Sequence, residues 1–232
     1  MTAVAERTSG TRADLRTGSR WLAAALLPIG PAAVAVLRFV LPYTTADSPE
    51  NAVREVAAHQ AAQSAVVWLG FLACLTLIPG VIFAGRVVAR EAPRLAALAT
   101  ILLVTGYISL AWLTVGDAYL LFGVRHHLSQ DVLTGMYDGV HPAATVASVL
   151  FVLGHVFGTI LLGVGMLRGR MVPTWPAIAT IIAQPVHFVA AVVVGSHALD
   201  LVGWGLNAVG FAALSVAILG LSNDEWGPAV RQ

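Results

Sequence analysis

The chain has 232 residues, of which 58% are hydrophobic and only 11% are charged, and its formal net charge is +1. Soluble globular domains carry about 25% charged residues, so this composition excludes a water-soluble protein and indicates membrane lipids as the surroundings. A charge so close to zero argues against a nucleic-acid partner, and the single cysteine, Cys74, rules out an internal disulfide.

Six apolar segments follow one another, each long enough to cross roughly 30 Å of hydrocarbon at about 1.5 Å per residue. They predict an all-α, polytopic membrane helical bundle. Residues 1–20 are polar and predict a disordered cytoplasmic tail, 21–222 form a single transmembrane domain, and 223–232 form a second cytoplasmic tail. The predicted spans are 21–42, 64–85, 95–123, 143–167, 174–197 and 200–221.

The distribution of arginine predicts the orientation, because cytoplasmic loops of membrane proteins are enriched in basic residues. Every basic residue is Arg, and only Arg54 and Arg125 fall in outer loops if the N-terminus is inside, while Arg38 falls within the first span. The sequence therefore predicts that both chain ends are cytoplasmic. Abundant Arg and Ala without Lys is typical of a high-GC actinobacterial genome, which indicates a bacterial plasma membrane. The inner arginines are Arg7, Arg12, Arg16, Arg20, Arg86, Arg90, Arg94, Arg168, Arg170 and Arg231.

Two outer loops are longer than a turn and predict short surface helices. In 43–63, Ser48 is a typical N-cap and is followed by Pro49, a residue favoured at the first helical position. In 124–142, Ser129 is a second candidate N-cap, and Pro142 begins the fourth span. We expect two short amphipathic helices that act as lids over the bundle.

Polar side chains inside the spans are the best functional signal, since they normally face the bundle interior or a wet cavity. They fall in the outer half of several spans at helical spacing, whereas the inner halves are almost purely aliphatic. The sequence therefore predicts one shared chamber near the outer surface. The candidate catalytic residues are Asp117, His155 and His187, and the candidate substrate-binding residues are Arg38, Tyr107, Trp112, Gln184, Asp200, Trp204, Asn207 and Phe211.

An embedded carboxylic acid beside aromatic rings indicates acid chemistry on a hydrophobic small molecule. A carboxyl group in an apolar pocket can stay protonated near neutral pH, which makes Asp117 a candidate general acid. The aromatic faces of Tyr107, Trp112, Trp204 and Phe211 can stabilise a cation. Protonation-initiated cyclisation of an isoprenoid chain needs this combination, and it needs no metal or organic cofactor.

In length, span number and embedded acids (Asp117, with Asp200 or Glu50), the chain resembles the small integral-membrane terpene cyclases of meroterpenoid and indole-sesquiterpene pathways. The resemblance implies cyclisation of a lipid-soluble isoprenoid, although those families often have seven spans rather than six. Separately, residues 150–220 resemble uncharacterised actinobacterial six-span membrane proteins, which implies no activity. The motifs that carry this second resemblance are Gly154-His155, Arg168-x-Arg170-x-x-Pro173 and Gln184-Pro185-x-His187.

Several alternatives remain open at this point. His155 and His187 lie at similar depth on consecutive spans, as the axial ligands of haem b do. A non-enzymatic lipid-binding, transport or immunity protein would use the chamber only to hold a ligand. In a separate, purely structural alternative, Arg38 and Asp117 form an ion pair within the bundle. A surface metal site is a further alternative that fits no specific spacing motif, and its residues would be His126, His127, Asp131, Asp138 and His141.

Overall fold

The computed structural model describes residues 15–227, and the secondary structure of these residues is entirely helical. The long helices alternate with short ones in the outer loops and at the C-terminal side. In chain order they are α1 (Arg16–Val40), α2 (Pro49–Ala58), α3 (Gln60–Val88), α4 (Pro93–Arg125), α5 (Gln130–Asp138), α6 (Pro142–Gly169), α7 (Thr174–Phe188) with a π-helical extension (Val189–Val194), α8 (His197–Gly220) and α9 (Asn223–Trp226).

Six of these helices are long and apolar enough to cross a membrane, namely α1, α3, α4, α6, α7 with its extension, and α8. The predicted all-α bundle of six spans is therefore confirmed. The protein is a multi-pass membrane protein, and its exposed apolar side chains contact lipid. Helix α4 has 33 residues, about 50 Å of helix, so it projects beyond the hydrocarbon layer.

The spanning helices form a closed ring in chain order. Each packs against the next one, and the ring closes where α8 packs along α1. Glycines allow the close contact between α4 and α6, as the Gly154-x-x-x-Gly158 spacing predicts. A Cβ atom at Gly154 would lie 2.5 Å from the carbonyl oxygen of Leu102, and one at Gly158 would lie 2.6 Å from Cγ of Leu103.

The first turn of α1 and the short helix α9 meet on one side of the bundle, which we call the inner end. Arg16 donates to Asp224 at 2.8 Å, and the indole nitrogen of Trp226 donates to Ser19 at 2.9 Å. The prediction of a disordered tail is wrong for residues 16–20, because α1 begins at Arg16 and packing against α9 orders this turn. Residues 1–14 and 228–232 lie outside the described part.

Both predicted surface helices are present at the opposite, outer end. Ser48 accepts a hydrogen bond from the amide of Asn51 at the start of α2, and Ser129 accepts one from Val132 at the start of α5. The helices pack on each other and on the outer part of α4, which extends past the other spans. Their shared apolar cluster contains Val53, Val56, Leu120, Val124 and Leu133.

The α7–α8 connection lies about three residues earlier in the chain than the predicted spans place it. The chain leaves α7 through the π-helical extension, turns at Gly195 with φ of +66°, and restarts at His197 with Ser196 as N-cap. Because α8 begins at His197, its first turn contains Asp200. The predicted sixth span instead began at Asp200 itself. That turn carries the Asp200 side chain into the bundle, where it is 1% exposed.

Candidate functional site

A cavity of about 290 Å³ lies in the outer half of the ring. This volume is close to the lower limit, about 300 Å³, of typical small-molecule pockets. Most of its wall is aliphatic or aromatic. The polar side chains in the wall come from the spans and from the loop after α1, and they are Arg38, Tyr43, Thr45, Thr114, Asp117, Ser148, His155, His187 and Trp204.

One side of the cavity is organised by the Asp200 carboxylate. Its Oδ2 accepts from Nε of Arg38 at 2.5 Å, and its Oδ1 lies 2.5 Å from Nδ1 of His187. Arg38 also donates to the hydroxyl of Thr45 at 2.9 Å. A carboxylate only accepts hydrogen bonds, so the proton of His187 lies on Nδ1, and Nε2 is left as the ring nitrogen for a ligand.

The opposite side carries Asp117 on α4. Its Oδ1 accepts hydrogen bonds from the hydroxyl of Tyr43 and from the amide of Gln63, each at 2.7 Å. Within residues 15–227, Oδ2 has no hydrogen-bond partner. The alternative in which Arg38 pairs with Asp117 is wrong, because the closing α1–α8 contact brings Asp200 to Arg38 instead.

His155 is held in the floor of the cavity between two aromatic rings. Its ring centroid lies 4.2 Å from that of Phe151 and 5.9 Å from that of Trp204, both close to parallel. The Nδ1 atom lies 2.6 Å from the carbonyl oxygen of Phe151. Because a carbonyl only accepts, Nδ1 carries the proton and Nε2 of the neutral ring is an acceptor. Nε2 is buried without a partner among the described residues.

Aromatic contacts join the two histidines. The His155 and His187 ring centroids are 5.5 Å apart, and the Trp204 indole is 5.5 Å from the His187 ring in a T-shaped contact. Trp204 is fully buried. The floor is therefore a rigid cluster of three rings, with the two imidazoles fixed by their Nδ1 atoms.

Six of the predicted site residues do not line the cavity. One of them, Asp200, acts from behind the wall through its contacts with Arg38 and His187. Trp112 is 63% exposed on the outside of α4, so its predicted role in the chamber is wrong. It lies five residues from Tyr107 and from Asp117, which is a rotation of about 140° away from both. Four others are fully buried beneath the cavity and do not line it: Tyr107, Gln184, Asn207 and Phe211.

Two important side chains were missed by the sequence analysis. Tyr43 lies in the loop after α1, and Gln63 lies in the first turn of α3, so neither falls within the polar periodicity of a predicted span. Burial, and then the nearby Asp117 carboxyl group, raises the pKa of Tyr43 well above its usual value. Tyr43 therefore stays a neutral donor. Its ring also contacts Tyr137 of α5 edge-on, with centroids 6.3 Å apart, which connects the outer lid to the cavity.

The cavity has a thin wall between α6 and α7. From Pro142 to Leu153, the outer part of α6 has no buried residue. Val152, Phe188 and Val192 line the cavity and are also exposed on the outer surface of the bundle. One layer of side chains therefore separates the cavity from the surrounding lipid on this side.

The surface metal alternative is not supported by the positions of its residues. In the part of the chain that the structure describes, no group of three or more His, Cys, Asp or Glu side chains is close enough to hold a metal ion. His126 instead packs on Phe122, and His141 accepts from the amide of Ala143 at the start of α6.

Comparison with known proteins finds no matching family model, no similar curated protein and no similar solved structure. The two resemblances drawn from the sequence therefore remain hypotheses, and the function has to be argued from the site.

Proposed function

We propose that the protein is an integral-membrane enzyme of a bacterial plasma membrane that cyclises or isomerises a lipid-soluble isoprenoid by proton transfer. One observation carries this proposal: Asp117, whose Oδ2 has no hydrogen-bond partner among the described residues, and His187, whose Nδ1 is held by Asp200, both line one largely apolar cavity. The site thus offers an acid and a base around space for a hydrocarbon chain.

Asp117 is suited to donate the proton. Tyr43 and Gln63 both donate to Oδ1 and hold the carboxyl group in place. The oxygen that receives two donors cannot easily carry a proton as well, so the acid proton belongs on Oδ2. From there it can be delivered to a substrate double bond in the cavity.

The surroundings favour a positive charge on the substrate. The Arg38 charge is offset by Asp200 through their ion pair, and no basic side chain among residues 15–227 forms an ion pair with Asp117. The carboxylate left on Asp117 after proton transfer therefore attracts the cation. Phe151, Tyr43 and Trp204 add aromatic faces in the wall, which stabilise cations by cation–π interaction.

The reaction conserves its atoms. The proton of Asp117 adds to one carbon of a double bond and leaves a carbocation. A second double bond attacks that cation and closes a ring. A neighbouring C–H bond then loses its proton to Nε2 of His187, and a double bond forms. The product is an isomer of the substrate, His187 releases its proton to water, and Asp117 regains a proton from water.

The side of the cavity that faces the lipid is suited to the entry of such a substrate. A hydrophobic chain is concentrated in the membrane, and the thin wall between α6 and α7 is its shortest route into the cavity. The amphipathic helices α2 and α5 cover the outer end, so entry along the membrane plane avoids moving the lid.

The test uses purified protein in lipid nanodiscs with linear C15 and C20 isoprenoid alcohols, and products are identified by mass spectrometry. We expect a product of unchanged mass in H2O and one carrying a single deuterium in D2O. Asp117→Asn should lower turnover by a factor of about 10² or more, while the matched variant Asp131→Asn, at an exposed position of α5, should keep it. Full activity of Asp117→Asn contradicts the proposed acid, and binding without turnover favours a lipid-binding or transport protein.

A b-type haem protein is the second candidate. Its supporting observation is that Nδ1 of each histidine faces an oxygen acceptor, Phe151 O for His155 and Asp200 for His187. Metal-bound histidines show this arrangement, which leaves Nε2 for the metal. A Soret band in protein expressed with haem supply, lost in His155→Ala and in His187→Ala, would establish it. Colourless protein under these conditions would exclude it.

A further inference from the structure

A second polar cluster lies beneath the cavity, in the middle of the bundle. Its members come from four spanning helices, α4, α6, α7 and α8, and each is at most 1% exposed. Each carries at least one buried polar atom without a hydrogen-bond partner among the described residues. The side chains and atoms are Tyr107 Oη, His155 Nε2, Thr159 Oγ1, Trp204 Nε1, and both amide heteroatoms of Gln184 and Asn207.

Helical spacing brings these groups onto facing sides. His155 and Thr159 are four residues apart on α6, and Trp204 and Asn207 are three apart on α8, so each pair shares one face. Gln184 lies three residues before His187 and shares its face on α7. On each of these helices, polar side chains therefore extend about one turn deeper into the membrane than the cavity does.

Close contacts between helices place the members of this cluster at the same depth in the bundle. Gly203 of α8 packs against the backbone of His187, and Gly210 packs against Thr180, so Gln184 and Asn207 lie between two points of close approach. The Tyr107 hydroxyl has Thr159 and Asn207 as polar neighbours, yet no hydrogen bond of normal geometry joins them. Polar groups that are neighbours without a direct bond are typical of positions bridged by water.

The hydrogen-bond donors and acceptors of the cluster indicate which ligand it can bind. Gln184, Asn207 and Trp204 offer N–H donors, while the amide oxygens and Nε2 of His155 are acceptors. A metal cation would satisfy the acceptors and leave the N–H groups unpaired, which is costly in a buried site. Water both donates and accepts, so it can satisfy both kinds of group in the cluster.

We propose that this cluster is a bound-water site that hydrogen-bonds to Nε2 of His155 and continues the polar path of the cavity to the middle of the membrane. The site does not lead across the bundle, because fully buried Leu162, Phe211 and Leu214 pack below it. Water held there can exchange protons with His155 from below while the cavity above is filled by a hydrophobic molecule.

Radiolytic hydroxyl-radical footprinting tests the proposal on the full chain in nanodiscs. Radicals generated from bound water oxidise the side chains next to it, even when these are inaccessible from outside. Tyr107, Trp204 and Phe211 are aromatic and equally buried. Trp204 also lines the cavity above, so the diagnostic comparison is between Tyr107 and Phe211. We expect Tyr107 to be oxidised several-fold faster than Phe211. Equal, slow oxidation of these two residues would overturn the proposal.

A matched pair of variants adds a second readout. Thr159 and Thr180 are both fully buried, but among the described residues the hydroxyl of Thr159 has no hydrogen bond of normal geometry, whereas that of Thr180 donates to the carbonyl oxygen of Pro176 at 2.9 Å. Thr159→Val should reduce the oxidation of Tyr107 by removing a water ligand, whereas Thr180→Val should leave it unchanged. Equal effects of the two variants would contradict water binding at Thr159. Neither readout depends on the reaction proposed above.

Discussion

His187 and Asp200 lie 13 residues apart on either side of the α7–α8 turn, with Nδ1 of the histidine 2.5 Å from Oδ1 of the carboxylate. The same carboxylate accepts from Arg38, which is 162 residues away in the chain. Asp200 therefore fixes the orientation of a cavity histidine and connects the last spanning helix to the first.

Asp200→Asn should destabilise the protein, because the substitution keeps the side-chain shape but leaves the Arg38 charge without its counter-charge. Removing one member of a fully buried pair costs roughly 3–5 kcal/mol, and we expect about 2 kcal/mol here because Arg38 retains some exposure. Thermal unfolding in nanodiscs measures it. Asp224→Asn, which breaks the exposed pair with Arg16, is the control and should change the melting temperature little. A larger effect at Asp224 would contradict the role given to Asp200.

Gly154→Ala should weaken the contact between α4 and α6. The added Cβ would meet the backbone carbonyl oxygen of Leu102 at 2.5 Å, so one helix has to shift. Overpacking of this kind costs about 1–3 kcal/mol. Gly116→Ala on α4 is the control, since its Cβ would meet nothing within 4 Å, and losing a helical glycine stabilises by roughly 0.5–1 kcal/mol. Thermal unfolding of the two variants should give shifts of opposite sign; shifts of equal sign and size would argue against the close contact.

Trp204→Ala should cost about 3–5 kcal/mol of stability, as expected for a buried aromatic side chain, and should abolish the proposed turnover because His155 loses one of its two stacking rings. Trp112→Ala should affect both far less, since Trp112 faces lipid. Denaturant or thermal unfolding together with product analysis measures the difference. Trp204→Phe separates the two effects by preserving most of the packed volume. If Trp112→Ala proved the more damaging to turnover, the aromatic wall assigned to the cavity would be wrong.

The outer lid should loosen at alkaline pH through Tyr43. Burial raises the pKa of Tyr43 above its usual value, so the folded state favours the neutral phenol. Its stabilising effect is complete below the unfolded-state pKa of about 10 and is lost as pH rises through the folded-state value. The melting temperature should therefore fall above about pH 10, and less steeply in Tyr43→Phe. An identical pH dependence in the two proteins would show that Tyr43 ionises normally.

The sequence predicted best those features that depend on residues close together in the chain. The six spans, the start of α2 after Ser48 and the start of α5 after Ser129 follow from hydropathy and helix capping, which are properties of consecutive residues. The start of α1 was predicted too late because the polar turn around Arg16 is stabilised by α9, at the other end of the chain.

The candidate site was predicted only in part. Five of the side chains that the polar spacing grouped together line one cavity, namely Asp117, His155, His187, Arg38 and Trp204. The spacing did not reveal that Trp112 points to lipid, or that Tyr107, Gln184, Asn207 and Phe211 lie one level deeper. Depth and facing direction depend on how each helix is rotated in the ring, and polar spacing on one helix does not determine that rotation.

The amino-acid sequence by itself determined that this protein is a six-span membrane bundle with polar groups concentrated in its outer half. A helix needs a run of about 20 predominantly apolar residues to cross the lipid, and that requirement is visible in the order of consecutive residues. Only the tertiary structure decided which polar side chains are paired. Arg38 pairs with Asp200, and Tyr43 and Gln63 donate hydrogen bonds to Asp117. These contacts join segments distant in sequence, and they arise from the packing of α8 against α1 and from the outer loops folding over α4.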